Sequence, residues 1–70
     1  MKVNPEAFRK ARENQLVSVL GLAKKAEVSG KVIRNLELGK TIRLESIRKI
    51  IQALGFTIEE AREKRLVEDD

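Results

Sequence analysis

Between Ser18 and Gly39 the chain reads SVLGLAKKAEVSGKVIRNLELG, and few folds accommodate such a segment. A serine stands before each of two short runs, Ser18 ahead of the first and Ser29 ahead of the second. At those places a hydroxyl can accept from the free N–H groups that begin a helix. Leu22, Ala23, Ala26, Val28, Ile33 and Leu36 are spaced to lock two helices at a steep angle. Gly39 lies just past the second run, where a positive φ closes a helix. Two short helices joined by a tight turn is the reading.

The rest of the chain must supply a core for that pair. Seventy residues make one domain, 1–70, near the lower limit for folding without staples. With no Cys there are neither disulfides nor thiolate metal sites, and with no His the commonest metal ligand and general base is missing. Ser18, Ser29 and Ser46 therefore have no histidine to activate them. Catalysis, metals and cofactors are not expected.

Helix signals recur on both sides of the central segment. Asn4-Pro5-Glu6 combines an N-cap, a proline at the first helical position and an acid in the first turn. It predicts a first helix over Pro5 to Asn14 with Phe8, Ala11 and Ala7 inward. After the polar link Lys40-Thr41-Ile42-Arg43, the residues Leu44, Ile47, Ile50, Ile51 and Leu54 form a stripe of helical period that ends at Gly55. Thr57-Ile58-Glu59-Glu60 fits a capping box and opens a fifth helix. Nothing alternates with period two over a useful length, so no strand is expected. Glu68-Asp69-Asp70 are expected to fray.

Charge narrows the partners. Residues 1–58 hold 12 Lys/Arg against 5 Asp/Glu, whereas residues 59–70 hold 3 against 6. A basic body with an acidic end fits a polyanion-binding surface, although ordinary solubilising charge fits the count as well. The longest uncharged stretch, Asn14 to Ala23, is ten residues, too short to cross a bilayer. The opening MKVNPEAFRK has no secretory apolar run. The expectation is a cytoplasmic protein with no membrane partner.

The central pair of helices resembles the helix-turn-helix of the lambda-repressor-like (Cro/XRE-type) DNA-binding domains. The resemblance extends from about Phe8 to Ala61. Leu22-Ala23, Leu44-Glu45-Ser46-Ile47 and Ala53-Leu54-Gly55 match the family's second and fourth helices. It implies an all-α, compact five-helix domain with the helix-turn-helix formed by helices 2 and 3. Relatives carry an Arg in helix 1 and a Glu near the end of the recognition helix, followed by Gly. Arg12 and Glu37-Leu38-Gly39 occupy those places, which implies a partly buried Arg12–Glu37 ion pair.

Double-stranded DNA is the partner that the resemblance implies. On the helix capped by Ser29, the outer positions Gly30, Lys31, Arg34 and Asn35 are those that read bases in relatives. Lys and Arg can donate to guanine O6 and N7, and Asn can bracket adenine N6 and N7. Phosphate contacts are expected from Lys40, Thr41 and Arg43, from Lys24 and Lys25, and from the helix N-terminus near Ser18. Three positions depart from the family. Val19 stands where Gln is usual. Glu27 replaces the turn glycine, which means a left-handed residue at a cost of roughly 1 kcal/mol or a different turn. Gly30 stands where a side chain normally reaches a base.

The function expected is a transcriptional regulator, a repressor that binds a two-fold symmetric operator as a homodimer. Phe56, Ile58, Ala61, Leu66 and Val67 are candidates for the dimer seam, with Phe56 and Ile58 fitting equally well as the end of the core. An antitoxin of a toxin–antitoxin pair would share the fold and could meet its toxin through the acidic segment Glu59 to Asp70. A protein-interaction module that has lost DNA readout is the alternative of another class, suggested by Val19, Leu20, Glu27 and Gly30.

Overall fold

The computed structural model describes residues 2–68. Within them lie β1 (Lys2–Val3), α1 (Pro5–Asn14), α2 (Val19–Ala26), α3 (Gly30–Glu37), α4 (Leu44–Ala53), α5 (Ile58–Glu63) and β2 (Val67–Glu68). The helices begin where the local chemistry satisfies their first N–H groups. The Ala7 N–H donates to Asn4 Oδ1 at 3.2 Å, that of Gly21 to Ser18 Oγ at 2.9 Å, and that of Val32 to Ser29 Oγ at 3.3 Å. At α5 the box is reciprocal: the Glu60 N–H donates to Thr57 Oγ1, and the Thr57 N–H donates to the Glu60 carboxylate. Arg43, the cap of α4, makes no side-chain capping bond.

The five described helices end alike. Each is followed by a left-handed residue: Leu16 (φ 56°), Glu27 (58°), Gly39 (81°), Gly55 (84°) and Arg65 (59°). The next residue's N–H then donates back five positions: Val17 to Arg12, Val28 to Ala23, Lys40 to Asn35, Phe56 to Ile51 and Leu66 to Ala61, over 2.8–3.3 Å. This Schellman arrangement satisfies carbonyls that a helix end would otherwise leave unpaired. Only two of the five positions are glycine. Glu27 thus adopts the left-handed turn directly.

Packing follows from the apolar faces. α2 lies against α3 and α4, and α1 against α3. Phe8, Leu22, Ile33, Leu36, Ile50 and Ile51 are buried together, and Ala23 and Ala26 let α2 approach its neighbours closely. Ala7 and Ala11 are half-buried at the edge. Leu44, the first residue of the α4 stripe, stays 46% exposed because the helix begins there, beyond the core. Gln15 Nε2 donates to the Leu54 carbonyl at 2.7 Å, tying the end of α1 to the end of α4.

Two expectations are corrected by the termini. Lys2–Val3 and Val67–Glu68 pair as an antiparallel two-stranded ribbon, with Lys2 opposite Glu68 and Val3 opposite Val67. The Asn4 N–H extends the pairing by donating to the Leu66 carbonyl at 2.9 Å. Strands of two residues are too short for any alternation to reveal them. Glu68 is therefore held in a strand rather than frayed, while Asp69 and Asp70 lie outside the described residues. The second correction concerns the dimer seam. Ala61 (0% exposed), Leu66 (2%) and Val67 (1%) are core residues. The ribbon folds Leu66 and Val67 inward, so these three have no surface to give a second copy. Phe56 and Ile58 are half-buried, with Lys64 Nζ 5.1 Å from the Phe56 ring centroid.

Candidate nucleic-acid interface

α3 is held from three directions. Ser29 caps its start, Ile33 (0% exposed) and Leu36 (2%) anchor its inner face, and Glu37 binds Arg12 of α1 at its end. The ion pair is bidentate, with Arg12 Nε donating to Glu37 Oε2 at 2.7 Å and Nη2 donating to Oε1 at 3.1 Å. Arg12 Nη1 also donates to the Val17 carbonyl at 3.0 Å, in the link before α2. The side chains keep only 13% and 12% of their surface exposed. The hydrogen bond to Glu37 raises the Arg12 pKa; desolvation opposes the rise, and the charges of Glu37 and Glu13 add to it.

With α3 so fixed, its outer face carries Lys31 and Arg34 exposed and Gly30 and Asn35 half-buried. No carboxylate among the described residues pairs with Lys31 or Arg34, whereas Lys10 and Lys49 are each beside a glutamate on their own helix. The two α3 cations are thus available to an anion or to acceptors on bases.

The flanking candidates divide into groups. Lys40 and Thr41 lie beyond the end of α3 and line one recess with Lys2, Val3 and Pro5. Arg43 is exposed at the start of α4. Lys2 was not singled out by sequence reasoning. It lines the same recess as Lys40 from β1, a strand whose pairing with β2 leaves no local signal. Ser18 is exposed, with its hydroxyl accepting from Gly21. Lys24 is exposed on α2. Lys25 is also exposed but lines a recess with Glu27, Lys49 and Gln52, on the α4 side of α2. The structure therefore does not bring Lys25 together with the α3 cations.

Two of the departures from the family pattern, Val19 and Gly30, face each other between α2 and α3. Val19 is half-buried and Leu20 is 65% exposed. A Cβ at Gly30 would lie 3.3 Å from Leu20 Cδ2 and 3.9 Å from Val19 Cγ1. Glu27, left-handed and exposed, places an acid at the turn.

Residues 8–61 match the family model HTH_3, described as helix-turn-helix. No curated protein matches the chain. No helix among the described residues is long and apolar enough to cross a membrane. The family match spans α1 through most of α5 and contains both the Arg12–Glu37 clasp and the capped α2–α3 pair. The chain belongs to the helix-turn-helix family and is a DNA-binding regulatory domain of lambda-repressor-like fold.

Proposed function

We propose that this domain is a sequence-specific transcriptional repressor that acts in the cytoplasm. In this reading it binds a two-fold symmetric operator as a homodimer, with α3 in the major groove. The observation that carries the reading is the pair of unpaired, exposed cations Lys31 and Arg34 on a helix clamped at both ends. A reading element must be rigid, because a contact misplaced by an ångström loses most of its discrimination. Asn35, one turn from Lys31, adds an amide suited to adenine. Lys40, Thr41, Arg43, Lys24 and the capped start of α2 at Ser18 supply phosphate contacts, and Lys2 joins Lys40 in the same recess. One such domain covers only a few base pairs, so two copies on half-sites about one turn apart provide the needed specificity.

Selection from a random duplex library tests this, with the intact chain beside a Lys31→Ala/Asn35→Ala double variant. A two-fold symmetric sequence should be enriched by the parent and lost with the variant. No enrichment at low salt from folded protein would overturn the reading. A protein-interaction module is the second reading, favoured by the exposure of Leu16 (94%), Leu38 (70%) and Leu20 (65%). It expects the double variant to keep its function.

A further inference from the structure

Leu20 and Gly30 are fitted to each other across the helix-turn-helix. Gly30 is not among the glycines of positive φ, so the backbone does not require glycine there. Its lack of a side chain makes room instead. A Cβ at position 30 would come within 3.3 Å of Leu20 Cδ2, tighter than ordinary van der Waals contact. Laid over Gly30 in this way, Leu20 still keeps 65% of its surface open. The apolar group is bordered by cations. Lys24 follows four residues later on the same face of α2, and Lys31 adjoins Gly30 on α3; both are exposed.

A cationic rim suits a polyanion, and an exposed isobutyl group at its centre suits an apolar feature on that polyanion. The major groove offers one such group, the 5-methyl of thymine. We propose that Leu20, seated over Gly30, reads a base by packing on the methyl of a thymine next to the base pairs that face Lys31. An apolar contact thereby stands where a longer side chain at position 30 would make a hydrogen bond. The inference rests on the DNA-binding reading above and adds a thymine preference at one position of each half-site.

Deoxyuridine isolates the effect, since it removes the methyl and leaves base pairing unchanged. The intact chain is titrated with its selected duplex, each thymine being replaced in turn, beside Leu20→Ala and Leu20→Met. One exchange per half-site should weaken the parent about fourfold, the worth of burying one carbon. Leu20→Met, which keeps an apolar contact, should retain that loss. Leu20→Ala, shown folded by circular dichroism, should bind the thymine and uracil duplexes equally. If every thymine tolerates the exchange, or if Leu20→Ala keeps the parent's sensitivity, the assignment of Leu20 is overturned and the repressor reading stands. If the folded parent selects no duplex at all, both fall together.

Discussion

The Arg12 guanidinium binds both carboxylate oxygens of Glu37, at 2.7 and 3.1 Å, while its remaining nitrogen donates to the Val17 carbonyl at 3.0 Å. One planar group thus joins α1, the link to α2 and the end of α3. A lysine could not copy this, because a point charge has no fork to spread over three acceptors. The consequence is orientational as well as energetic: the helix that carries Lys31 and Arg34 is fixed against α1 by a contact outside the apolar core.

Removing one partner should therefore cost more than the pair is worth. Arg12→Ala leaves Glu37 almost buried without a counter-charge and should lower unfolding free energy by about 3 kcal/mol. Replacing both residues by Met should recover most of that loss, since well-packed apolar groups often match a buried pair. Urea unfolding of the parent, the single and the double variant measures the difference. A double variant no more stable than Arg12→Ala would show that the packing cannot accept the exchange.

The pH dependence of the clasp has a definite sign. The Arg12 pKa is raised on folding, so arginine's contribution is fully present below its unfolded pKa. It is lost only as pH rises through the still higher folded value. The stability gap between the parent and Arg12→Met should consequently be the same at about pH 7 and about pH 10. Paired urea titrations at the two pH values check this, and a gap that narrows at the higher pH would overturn it.

Leu16 and Glu27 hold the left-handed positions that end α1 and α2, and Leu16 is 94% exposed, so its side chain packs on almost nothing. A left-handed side chain costs roughly 1–2 kcal/mol, from which the extra chain entropy of glycine is subtracted. Leu16→Gly and Glu27→Gly should each raise stability by about 0.5–1 kcal/mol. Thermal melts of the two variants provide the check, and a lower midpoint would count against strain at these turns.

Leu66 belongs to the monomer's core, at 2% exposure. Leu66→Ala should lower stability by about 3 kcal/mol through lost burial and the cavity left behind. The shift should be independent of protein concentration. A loss that vanishes at high concentration would instead return this residue to a subunit contact.

Base and phosphate contacts should separate in their response to salt. Arg34→Ala should relax sequence preference, at about 1–3 kcal/mol for the correct site. Lys40→Ala should weaken all duplexes alike and reduce the log–log salt slope by about 1. Binding isotherms over a range of salt, on selected and scrambled duplexes, distinguish the two patterns.

The sequence by itself determined where the helices begin and which way their faces turn. Asn4, Ser18, Ser29 and Thr57 act on N–H groups three residues away, and Gly39 and Gly55 act on the turn they occupy. Such bonds are local, so neighbouring letters suffice to announce them. The period of Ile47, Ile50 and Ile51 was equally legible, because a helix repeats its environment every turn. The Arg12–Glu37 assignment required the family resemblance, since the two stand twenty-five positions apart in the chain.

Only the tertiary structure decided what the apolar letters near the ends were for. Leu66 and Val67 follow the last helix with no local partner, and an apolar pair there could equally face a second copy. They are buried in the common core, and Lys2 and Val3, from the other end of the chain, pair alongside as a strand that holds the segment in place. The same is true of Lys2 beside Lys40 and of Leu20 over Gly30. These relationships depend on how separate elements are set against one another. That arrangement is chosen by the packing of the whole core, and no local run of residues encodes it.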